Sequence, residues 1–402
     1  MLPVIPVCSQ NNINWGPEHN TWDQAGPLIN TRICMQNFYS IPRSELERRC
    51  VEAQVPAIHG STLFRSAYKG LSREPWAGPG LPANMRNLLG DDICTPRPEA
   101  TDILVSRYDH SVKFLFQLPG VAPAESPSAE SRIETVLMPE KNRITLCVSS
   151  QVGCRQACTF CHTGRMGLQR NLTAGEIVGQ LVAANAWIAA HPQWLEDLKL
   201  PPFQRVTNIV FMGMGEPLDN VEEVARAIEI MTDALGPAIA LRRISVSTAG
   251  HLDGLARMLE LHPQVRLALS VHSPFEAERS RIMPINRRWP LSAVLAAIHR
   301  AQQTQPHEVL LQYTLIHGVN DSLEHARELV RITEGLRIKV NLIPLNEIDP
   351  SRFCSPARES VEAFRDYLHQ SGLRVMVRYS KGQDIAAACG QLVSLQDRKK
   401  TN

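Results

Sequence analysis

Apolar and polar residues alternate with two distinct periods along the chain from residue 143 onward. Each short apolar run has the length of a buried strand and is followed by a segment in which apolar residues repeat at helical spacing. Six such pairs in succession predict an α/β fold with a parallel sheet covered by helices, and 374–379 could add a further strand. Six units are too few for a closed eight-stranded barrel, so an open partial barrel and a doubly wound sheet both fit the pattern. The predicted strands are 144–149, 206–212, 244–247, 265–271, 309–316 and 338–343.

Two helix starts are marked by their own residues. Thr173 stands three residues before Glu176, which predicts a capping box in front of an apolar face. Asn220 precedes an apolar repeat that runs to about residue 235, so we expect its side chain to cap that helix. Both helices follow a predicted strand, as the alternation of strands and helices requires.

The remaining chain is less regular. Residues 1–57 show little periodicity and carry Pro, Asn and Trp in turn-like settings, which predicts a loosely ordered extension. Residues 58–110 are expected to form a small helical accessory domain. The main domain is predicted to span 111–395, beginning with strands and turns, and a basic tail follows at 396–402.

Composition excludes little by itself. Of 402 residues, 44% are apolar and 20% are charged, which is ordinary for a globular protein. The net charge of +2 gives no nucleic-acid signature for the whole chain, so any basic surface must be local. Several arginines and one lysine do form local basic clusters along the chain. These clusters could pair RNA phosphates, although solvated helix and loop faces explain them equally well. The residues concerned are Arg242, Arg243, Arg279, Arg281, Arg287, Arg288, Arg374, Arg378 and Lys381.

The ten cysteines raise the question of the redox compartment. The N-terminus has no basic region followed by a long apolar stretch and a small-residue cleavage site, so a secretory signal is not expected. No run of about 18 apolar residues is present that would span a membrane. We therefore expect a cytoplasmic protein whose cysteines serve metal and thiol chemistry.

The most informative motif is Cys-x3-Cys-x2-Cys, formed by Cys154, Cys158 and Cys161. A cubane iron–sulfur cluster usually takes four thiolates, so three in one loop predict a cluster with one iron open to a further ligand. The alternative is a structural zinc site, because His162 would complete a Cys3His set. A residue adjacent to a ligand cannot easily turn back to the same tetrahedron, which makes His162 a poor fourth ligand.

Small polar groups recur where predicted parallel strands end. In parallel α/β folds the active residues lie in these loops, so the recurrence indicates a shared pocket. Glu216 follows Gly215 in a glycine-rich turn and could accept hydrogen bonds from an ammonium group. Each of these groups alone is equally compatible with a local turn or cap. The others are Ser247, Ser270, Val271, His272 and Asn346.

Two more cysteines attract attention. Cys147 lies in the first predicted strand, and Cys389 lies far downstream in a small-residue segment between two glycines. A buried cysteine is ordinarily a small apolar residue, and that interpretation holds for either thiol alone.

Taken together, the cysteine motif, the glycine-rich turn, the strand ends and the segments around Cys147 and Cys389 resemble a known family. This is the RlmN and Cfr group of radical S-adenosylmethionine (SAM) RNA methyltransferases, which methylate adenine carbons. The resemblance covers residues from about 60 to 395. It implies a radical SAM partial barrel that carries a [4Fe–4S] cluster on Cys154, Cys158 and Cys161. The matching segments are 134–135, 147–154, 158–161, 171–173, 212–217, 270–272, 284–286 and 387–392.

The resemblance also implies a reaction that uses two SAM molecules per turnover. One methylates Cys389, and the second is cleaved at the cluster to a 5′-deoxyadenosyl radical, which removes a hydrogen atom from that methyl group. The carbon radical then adds to carbon 2 or carbon 8 of an adenine. Glu134 matches the proton acceptor, and Cys147 matches the thiol that releases the adduct by forming a disulfide with Cys389. The implied SAM-binding residues are Gly215, Glu216, Ser247, Ser270, Val271, His272 and Asn346.

The implied partners are structured RNA, namely 23S rRNA, tRNA or both, and an electron donor such as flavodoxin or ferredoxin. No exposed apolar stripe is evident, so a monomer is expected. Residues 379–384 depart from the arginine- and glycine-rich stretch typical of the family, which leaves the substrate open. A radical SAM enzyme acting on a non-RNA substrate and a zinc-stabilised RNA-binding module without catalysis are the alternatives.

Overall fold

The computed structural model describes residues 36–89, 93–96, 98–118, 131–201, 204–304, 308–346 and 352–392. Most of the predicted N-terminal extension and the whole tail at 396–402 lie outside these ranges.

The strands are β1 (Gln36–Asn37), β2 (Ile93–Cys94), β3 (Glu99–Val105), β4 (Val112–Leu118), β5 (Ser131–Glu140), β6 (Arg143–Cys147), β7 (Gln151–Cys154), β8 (Gly167–Asn171), β9 (Asn208–Phe211), β10 (Ile244–Thr248), β11 (Arg266–Ser270), β12 (Val309–Leu315), β13 (Ile338–Pro344) and β14 (Arg374–Val377). Within the described ranges, one ten-stranded sheet has the order β14-β13-β12-β11-β10-β9-β6-β5-β4-β3. Strands β6 and β9 to β14 are parallel, and β3 to β5 add an antiparallel extension. The predicted parallel strands are all present, including the additional one.

The α-helices are α1 (Arg43–Glu52), α2 (Ile58–Tyr68), α3 (Met85–Leu89), α4 (His162–Arg165), α5 (Ala174–Ala190), α6 (Pro192–Asp197), α7 (Val221–Thr232), α8 (Leu252–Leu261), α9 (Glu276–Ile282), α10 (Leu291–Thr304), α11 (Leu323–Ile332) and α12 (Arg358–Gln370). Short 3-10 helices lie at Phe38–Ser40, Pro75–Ala77, Pro217–Asn220, Leu241–Arg243 and Pro284–Arg287. Helices α5, α7, α8, α10, α11 and α12 each connect successive parallel strands. Each presents an apolar stripe to the sheet, as Val361, Phe364 and Leu368 do on α12.

The order of the strands decides between the two predicted architectures. The parallel strands follow one another in sequence order, without the reversal that defines a doubly wound sheet. After β14 the chain reaches the turn between β3 and β4, where the Gly382 N–H donates to Asp109 Oδ2 at 2.8 Å. The two edges of the sheet therefore approach each other without pairing. The fold is an open partial barrel, as the family resemblance implies.

The capping box at α5 is present as predicted. Thr173 Oγ1 accepts from the Glu176 N–H at 3.2 Å, and Glu176 Oε2 accepts from the Thr173 N–H at 2.9 Å. The prediction for Asn220 was wrong. This residue precedes α7, but its side chain donates to the carbonyls of Ser150 and Leu172 at 2.9 and 2.8 Å instead of capping the helix.

Part of the predicted loosely ordered extension is folded, because α1 lies within residues 1–57. Phe38, Tyr39 and Leu46 are fully buried, and the rings of Tyr39 and Tyr68 lie 5.7 Å apart. The segment is held against the barrel by the Gly175 N–H of α5, which donates to Ser40 Oγ at 2.8 Å, and by the ion pair of Arg43 with Asp233 at 2.8 Å. Among the described helices, none has the length and apolarity needed to cross a membrane.

The predicted start of the main domain at residue 111 falls inside the sheet, because β3 precedes it and pairs with β4. Strand β3 is an edge strand with alternating exposed positions, so it lacks the continuous apolar run that marks the central strands.

Candidate active site

The cysteine motif lies in a loop between β7 and α4. Cys154 is the last residue of β7, Cys161 immediately precedes α4, and the Cys161 N–H donates to the Cys158 carbonyl at 3.1 Å. The β7–β8 hairpin that carries the loop requires glycine at position 153. Its φ is +75°, and a Cβ there would lie 1.8 Å from the carbonyl oxygen of Gly167.

The three thiols are close enough to influence one another. Burial, together with the neighbouring Cys161, raises the pKa of Cys158 to about 12. Burial also raises the pKa of Cys154 well above its usual value, and Cys158 and Cys161 both add to that shift. Neutral, buried thiols of this kind become ligands when a metal displaces their protons.

A cluster and a single zinc ion make different demands on the three thiols. A tetrahedral zinc site holds its sulfur ligands about 3.8 Å apart, whereas each cysteine of a cubane binds a different iron. In the described ranges, no three His, Cys, Asp or Glu side chains converge to hold one metal ion. The structure therefore gives no support to the Cys3His zinc alternative.

Glu216 lies beside this loop and is only 3% exposed. Its two carboxylate oxygens accept from the backbone N–H groups of Leu218 and Ala249 at 3.1 and 2.8 Å. Burial raises its pKa to about 7, although these donors oppose the shift. Gly215 has a φ of +102°, and a Cβ there would lie 2.6 Å from Gln151 Cβ, so the turn needs glycine.

The strand register places several predicted residues on one face of the sheet. Cys147 on β6 is paired with Val210 on β9, and Val210 is paired with Ser245 on β10, so these three side chains lie on the same face. Ser247 lies two residues after Ser245 on β10, so it faces the same side of the sheet. Ser247 is paired with Ala268, which puts Ser270 on the same face. This is the interior face of the barrel.

His272 follows Ser270 and the buried Val271. Its φ is +57°, and its Nδ1 accepts from the Thr314 N–H at 2.8 Å. The ring meets Phe160 of the cysteine loop edge-on, with centroids 4.9 Å apart. Burial lowers the pKa of His272 to about 3, with a contribution from Arg279, so the imidazole is neutral at physiological pH. His272 therefore connects the end of β11 to the cysteine loop.

Arg279 is one of the residues that sequence reasoning misjudged. It was grouped with the basic side chains that could pair phosphates, but it is fully buried. Its guanidinium donates to the carbonyls of Val271, Ser270 and Ala249 at 3.0, 2.9 and 2.6 Å. Arg279 thus ties together the ends of β10 and β11 and cannot contact RNA.

Arg374 also departs from its predicted place at the barrel mouth. It is the first residue of β14 and pairs with Glu308, which precedes β12. Because β12 and β14 are parallel, this ion pair lies at the opposite end of the strands from the cysteine loop. Arg242 and Arg243 lie at that end too, because they directly precede the parallel strand β10. By contrast, Arg281, Arg287 and Arg288 are exposed in the segment after β11, where the Thr159 N–H of the cysteine loop donates to the Ile282 carbonyl.

Cys147 ends β6 and is 6% exposed. Burial, together with the neighbouring Cys389, raises its pKa to about 12, although Arg378 opposes the shift. Cys389 is exposed, yet the surrounding protein also raises its pKa through burial. A thiol on the wall of an open cavity is reached by solvent and is still surrounded by enough protein to raise its pKa. The structure therefore brings Cys147 and Cys389 together, as free thiols.

The segment that carries Cys389 is held from two sides. On the cluster side, the His162 N–H donates to the Gly390 carbonyl at 2.8 Å, and Thr163 Oγ1 donates to the Leu392 carbonyl at 2.8 Å. Asn346 Nδ2 donates to the Cys389 carbonyl at 3.1 Å and to Ser380 Oγ at 2.8 Å. Asn346 therefore supports the Cys389 segment in this structure.

Glu134 lies on β5 and is 1% exposed. It shares the interior face with Cys147, because Val136 is paired with Cys147 and lies two residues from Glu134. Lys113 Nζ lies 3.3 Å from Glu134 Oε1, and its side chain is 3% exposed. Sequence reasoning missed Lys113. The available signal was one lysine within the apolar run of β4.

Comparisons with known proteins agree with this geometry. Residues 148–330 match the family model of the Radical SAM superfamily. The chain is 40% identical to a probable dual-specificity RNA methyltransferase RlmN from Akkermansia muciniphila, over 80% of this chain and 85% of the relative. It is 35% identical to the dual-specificity RNA methyltransferase RlmN of Bdellovibrio bacteriovorus, over 94% of this chain and 88% of the relative.

Among solved structures, a radical SAM methyltransferase from Sphaerobacter thermophilus is similar, with a TM-score of 0.78 and 38% identity. The match covers 89% of this chain and 99% of that chain. The identities and coverage of these relatives extend far beyond the cysteine motif. The chain belongs to the RlmN family of radical SAM RNA methyltransferases.

Proposed function

We propose that this protein methylates an adenine carbon in RNA through an S-methylcysteine at Cys389. The observation that carries the proposal is the position of the Cys389 segment. It is hydrogen-bonded to the residues that directly follow Cys161, and its thiol influences both Cys161 and Cys147 electrostatically. A radical SAM enzyme acting on a non-RNA substrate would have no use for this pair of thiols. A zinc-stabilised binding module would have none either.

The first part of the proposal concerns cofactor binding. Cys154, Cys158 and Cys161 would hold a [4Fe–4S] cluster, which supplies the electron that cleaves SAM. A carboxylate offers about four acceptor positions, and Glu216 uses two for backbone N–H groups. It retains capacity for the amino group of SAM. The remaining proposed SAM-binding residues are Gly215, Ser247, Ser270, Val271, His272 and Asn346.

The second part concerns release of the methylated product. Once the methylene carbon joins Cys389 sulfur to the adenine ring, the Cys147 thiolate attacks that sulfur. The unpaired electron that radical addition leaves on the ring would first pass to the oxidised cluster that Cys154, Cys158 and Cys161 would hold. An S–S bond then forms as the S–C bond breaks, and the carbon leaves with the electron pair and takes up a proton to become the methyl group. Glu134, buried on the same face, accepts the ring proton before this exchange, which is the work of a general base.

The relatives' names specify dual-specificity RNA methyltransferases, so we propose that 23S rRNA and tRNA are the two substrates. The exposed arginines at 281 and 287–288, in the segment after β11, could pair RNA phosphates. An adenine would reach the cavity at Cys389 only after leaving its base stack. We further propose a monomeric, cytoplasmic enzyme that receives electrons from a flavodoxin or a ferredoxin.

The test compares Cys389→Ala, Cys147→Ala and the matched control Cys354→Ala, whose thiol is exposed and lies outside the site. Reconstituted protein is incubated with SAM, reductant and rRNA or tRNA, and methyladenosines are identified by mass spectrometry. We expect product from wild type and Cys354→Ala, and none from Cys389→Ala. Cys147→Ala should retain RNA covalently in a denaturing gel. Product formation by Cys389→Ala at the wild-type rate would exclude the S-methylcysteine route.

A further inference from the structure

Lys113 is the only lysine on β4, and its ammonium lies inside the protein. Burying a cation is unfavourable unless it is paired and hydrogen-bonded. Lys113 Nζ meets both conditions, because it lies 3.3 Å from Glu134 Oε1 and donates to the Ala386 carbonyl at 3.2 Å. One ammonium therefore contacts two segments that are distant in sequence.

The contact between Lys113 and Glu134 lies on the interior face of the barrel, which also carries Cys147. Lys113 is paired across the sheet with Val136, and Val136 is paired with Cys147, so the three side chains form one row on the interior face. Glu134 is the diagonal neighbour of Lys113 on that face. The ammonium is thus placed beside both the proposed base and the strand position of the resolving thiol.

The second contact reaches the methyl-carrying segment. Ala386 lies three residues before Cys389, and its φ is +48°, a left-handed conformation that is unfavourable for alanine. Such a conformation persists only where neighbouring groups hold it. The hydrogen bond from Lys113 to the Ala386 carbonyl is one of these restraints.

We propose that Lys113 is a positioning residue that keeps the Glu134 carboxylate ionised and fixes the Cys389 segment against it. The inference rests on the proposed function, in which Glu134 is the base. In the step concerned, the ring C–H bond of the adduct breaks, its electron pair stays with the ring, and an O–H bond forms on Glu134. Lys113 does not take part in bond making. It ensures that the acceptor is free of a proton when the adduct forms.

The charged and titratable groups that share this cavity come from several elements. Lys113 stands on β4, Arg132 on the strand of Glu134 itself, and Cys147 on β6. Cys389 and Arg378 face the cavity from the C-terminal segment. Among these, Lys113 makes the direct ion pair with Glu134. Its removal should therefore make the buried carboxylate hold its proton to higher pH.

The experiment measures single-turnover resolution of the protein–RNA adduct as a function of pH, with holoenzyme carrying S-methyl Cys389. Lys113→Met removes the charge, and Lys113→Arg retains it. Lys141→Met is the matched control, because Lys141 is exposed at the turn between β5 and β6. Methylation of Cys389, determined by peptide mass spectrometry, provides a readout that does not depend on the base.

We expect Lys113→Met to resolve the adduct at least tenfold more slowly at pH 7 and to recover at high pH, with its midpoint at least one pH unit above wild type. Lys113→Arg and Lys141→Met should keep the wild-type midpoint, and all three variants should carry methylated Cys389. An unchanged midpoint in Lys113→Met would overturn the proposal. An equal shift in Lys113→Arg would also overturn it, because the charge would not be the cause.

Glu134→Gln separates this inference from the function on which it rests. If Glu134 is the base, this variant resolves the adduct slowly at every pH, without recovery. Wild-type resolution by Glu134→Gln would instead refute the role of Glu134 as the base, whatever the Lys113 variants do.

If Lys113→Met fails to fold, Lys113→Gln replaces it, since glutamine keeps a donor for Ala386 but carries no charge. Lys113→Gln should show the same upward shift in the pH midpoint of adduct resolution, and an unchanged midpoint would overturn the proposal.

Discussion

Replacing Arg279 by methionine tests whether the strand ends of the site are held by one buried guanidinium. The side chain is fully buried and donates four hydrogen bonds, three to backbone carbonyls and one to Asn286 Oδ1 at 2.6 Å. Methionine fills similar volume but supplies no donor. The carbonyls of Ala249, Ser270 and Val271 would then lose their guanidinium partner.

The magnitude follows from two opposing contributions. The Val271 carbonyl also accepts from the Ser273 N–H, and Asn286 Oδ1 also accepts from the Leu291 N–H, so both keep a partner. Each buried acceptor left without a partner costs about 1–3 kcal/mol, so the carbonyls of Ala249 and Ser270 together would cost about 2–6 kcal/mol. Removing the guanidinium also removes its own desolvation penalty, which is several kcal/mol. The net loss in the free energy of unfolding should therefore lie in the lower half of the first range, at about 2–3 kcal/mol. That is a large part of the total stability of a typical domain.

Urea unfolding followed by circular dichroism measures this loss. Arg281→Met is the matched control, because Arg281 lies on the same helix, two residues further on, and is exposed. Its effect should stay within about 0.5 kcal/mol. Arg279→Lys should fall between the two, since an ammonium donates without the planar fork of a guanidinium. A loss below about 1 kcal/mol in Arg279→Met would refute the reasoning, because the carbonyls would then not depend on Arg279.

Two further predictions concern the cysteine loop and its neighbouring carboxylate. Cys158→Ala should lose bound iron and 5′-deoxyadenosine formation together, as measured by iron analysis and chromatography, whereas Cys50→Ala, which removes a buried thiol from α1, should retain both. Burial raises the pKa of Glu216 from 4.5 to about 7, so the folded chain binds this proton more tightly than the unfolded chain does. The free energy of unfolding should therefore fall by roughly 3 kcal/mol as the pH rises from about 4.5 to about 7. In protein without SAM, Glu216→Gln should therefore gain about that much relative to wild type between pH 4.5 and pH 7.5 in urea unfolding; a constant difference would contradict the shift.

The elements that could be predicted from sequence are those whose signal is local. Strands β12 and β13 are mostly buried on both faces and read as nearly continuous apolar runs, so their positions were predicted correctly. The capping box of Thr173 and Glu176 depends on residues three apart and was also confirmed. The cysteine motif identified its loop for the same reason, since all its ligands lie within eight residues.

The polar groups inside the barrel could not be assigned from sequence, because their partners are distant along the chain. Lys113 meets Ala386, 273 residues away, and Arg279 meets the Ala249 carbonyl, 30 residues away. In sequence, an arginine on a helix and a lysine in a strand are ordinary surface residues. Asn220 is similar, because its side chain holds carbonyls of the cysteine loop region in place of the predicted cap. Only the folded topology shows which of these residues are buried.

The C-terminal segment explains why the barrel stays open. A closed barrel would pair β14 with β3 and leave no gap between them. Here the chain after β14 enters that gap, where Lys381 donates to the Pro139 carbonyl and Gly382 to Asp109, and then turns back to place Cys389 near Cys147. Because the same loop contacts β4, β5 and the cysteine loop, any movement of Cys389 must disturb both halves of the site together.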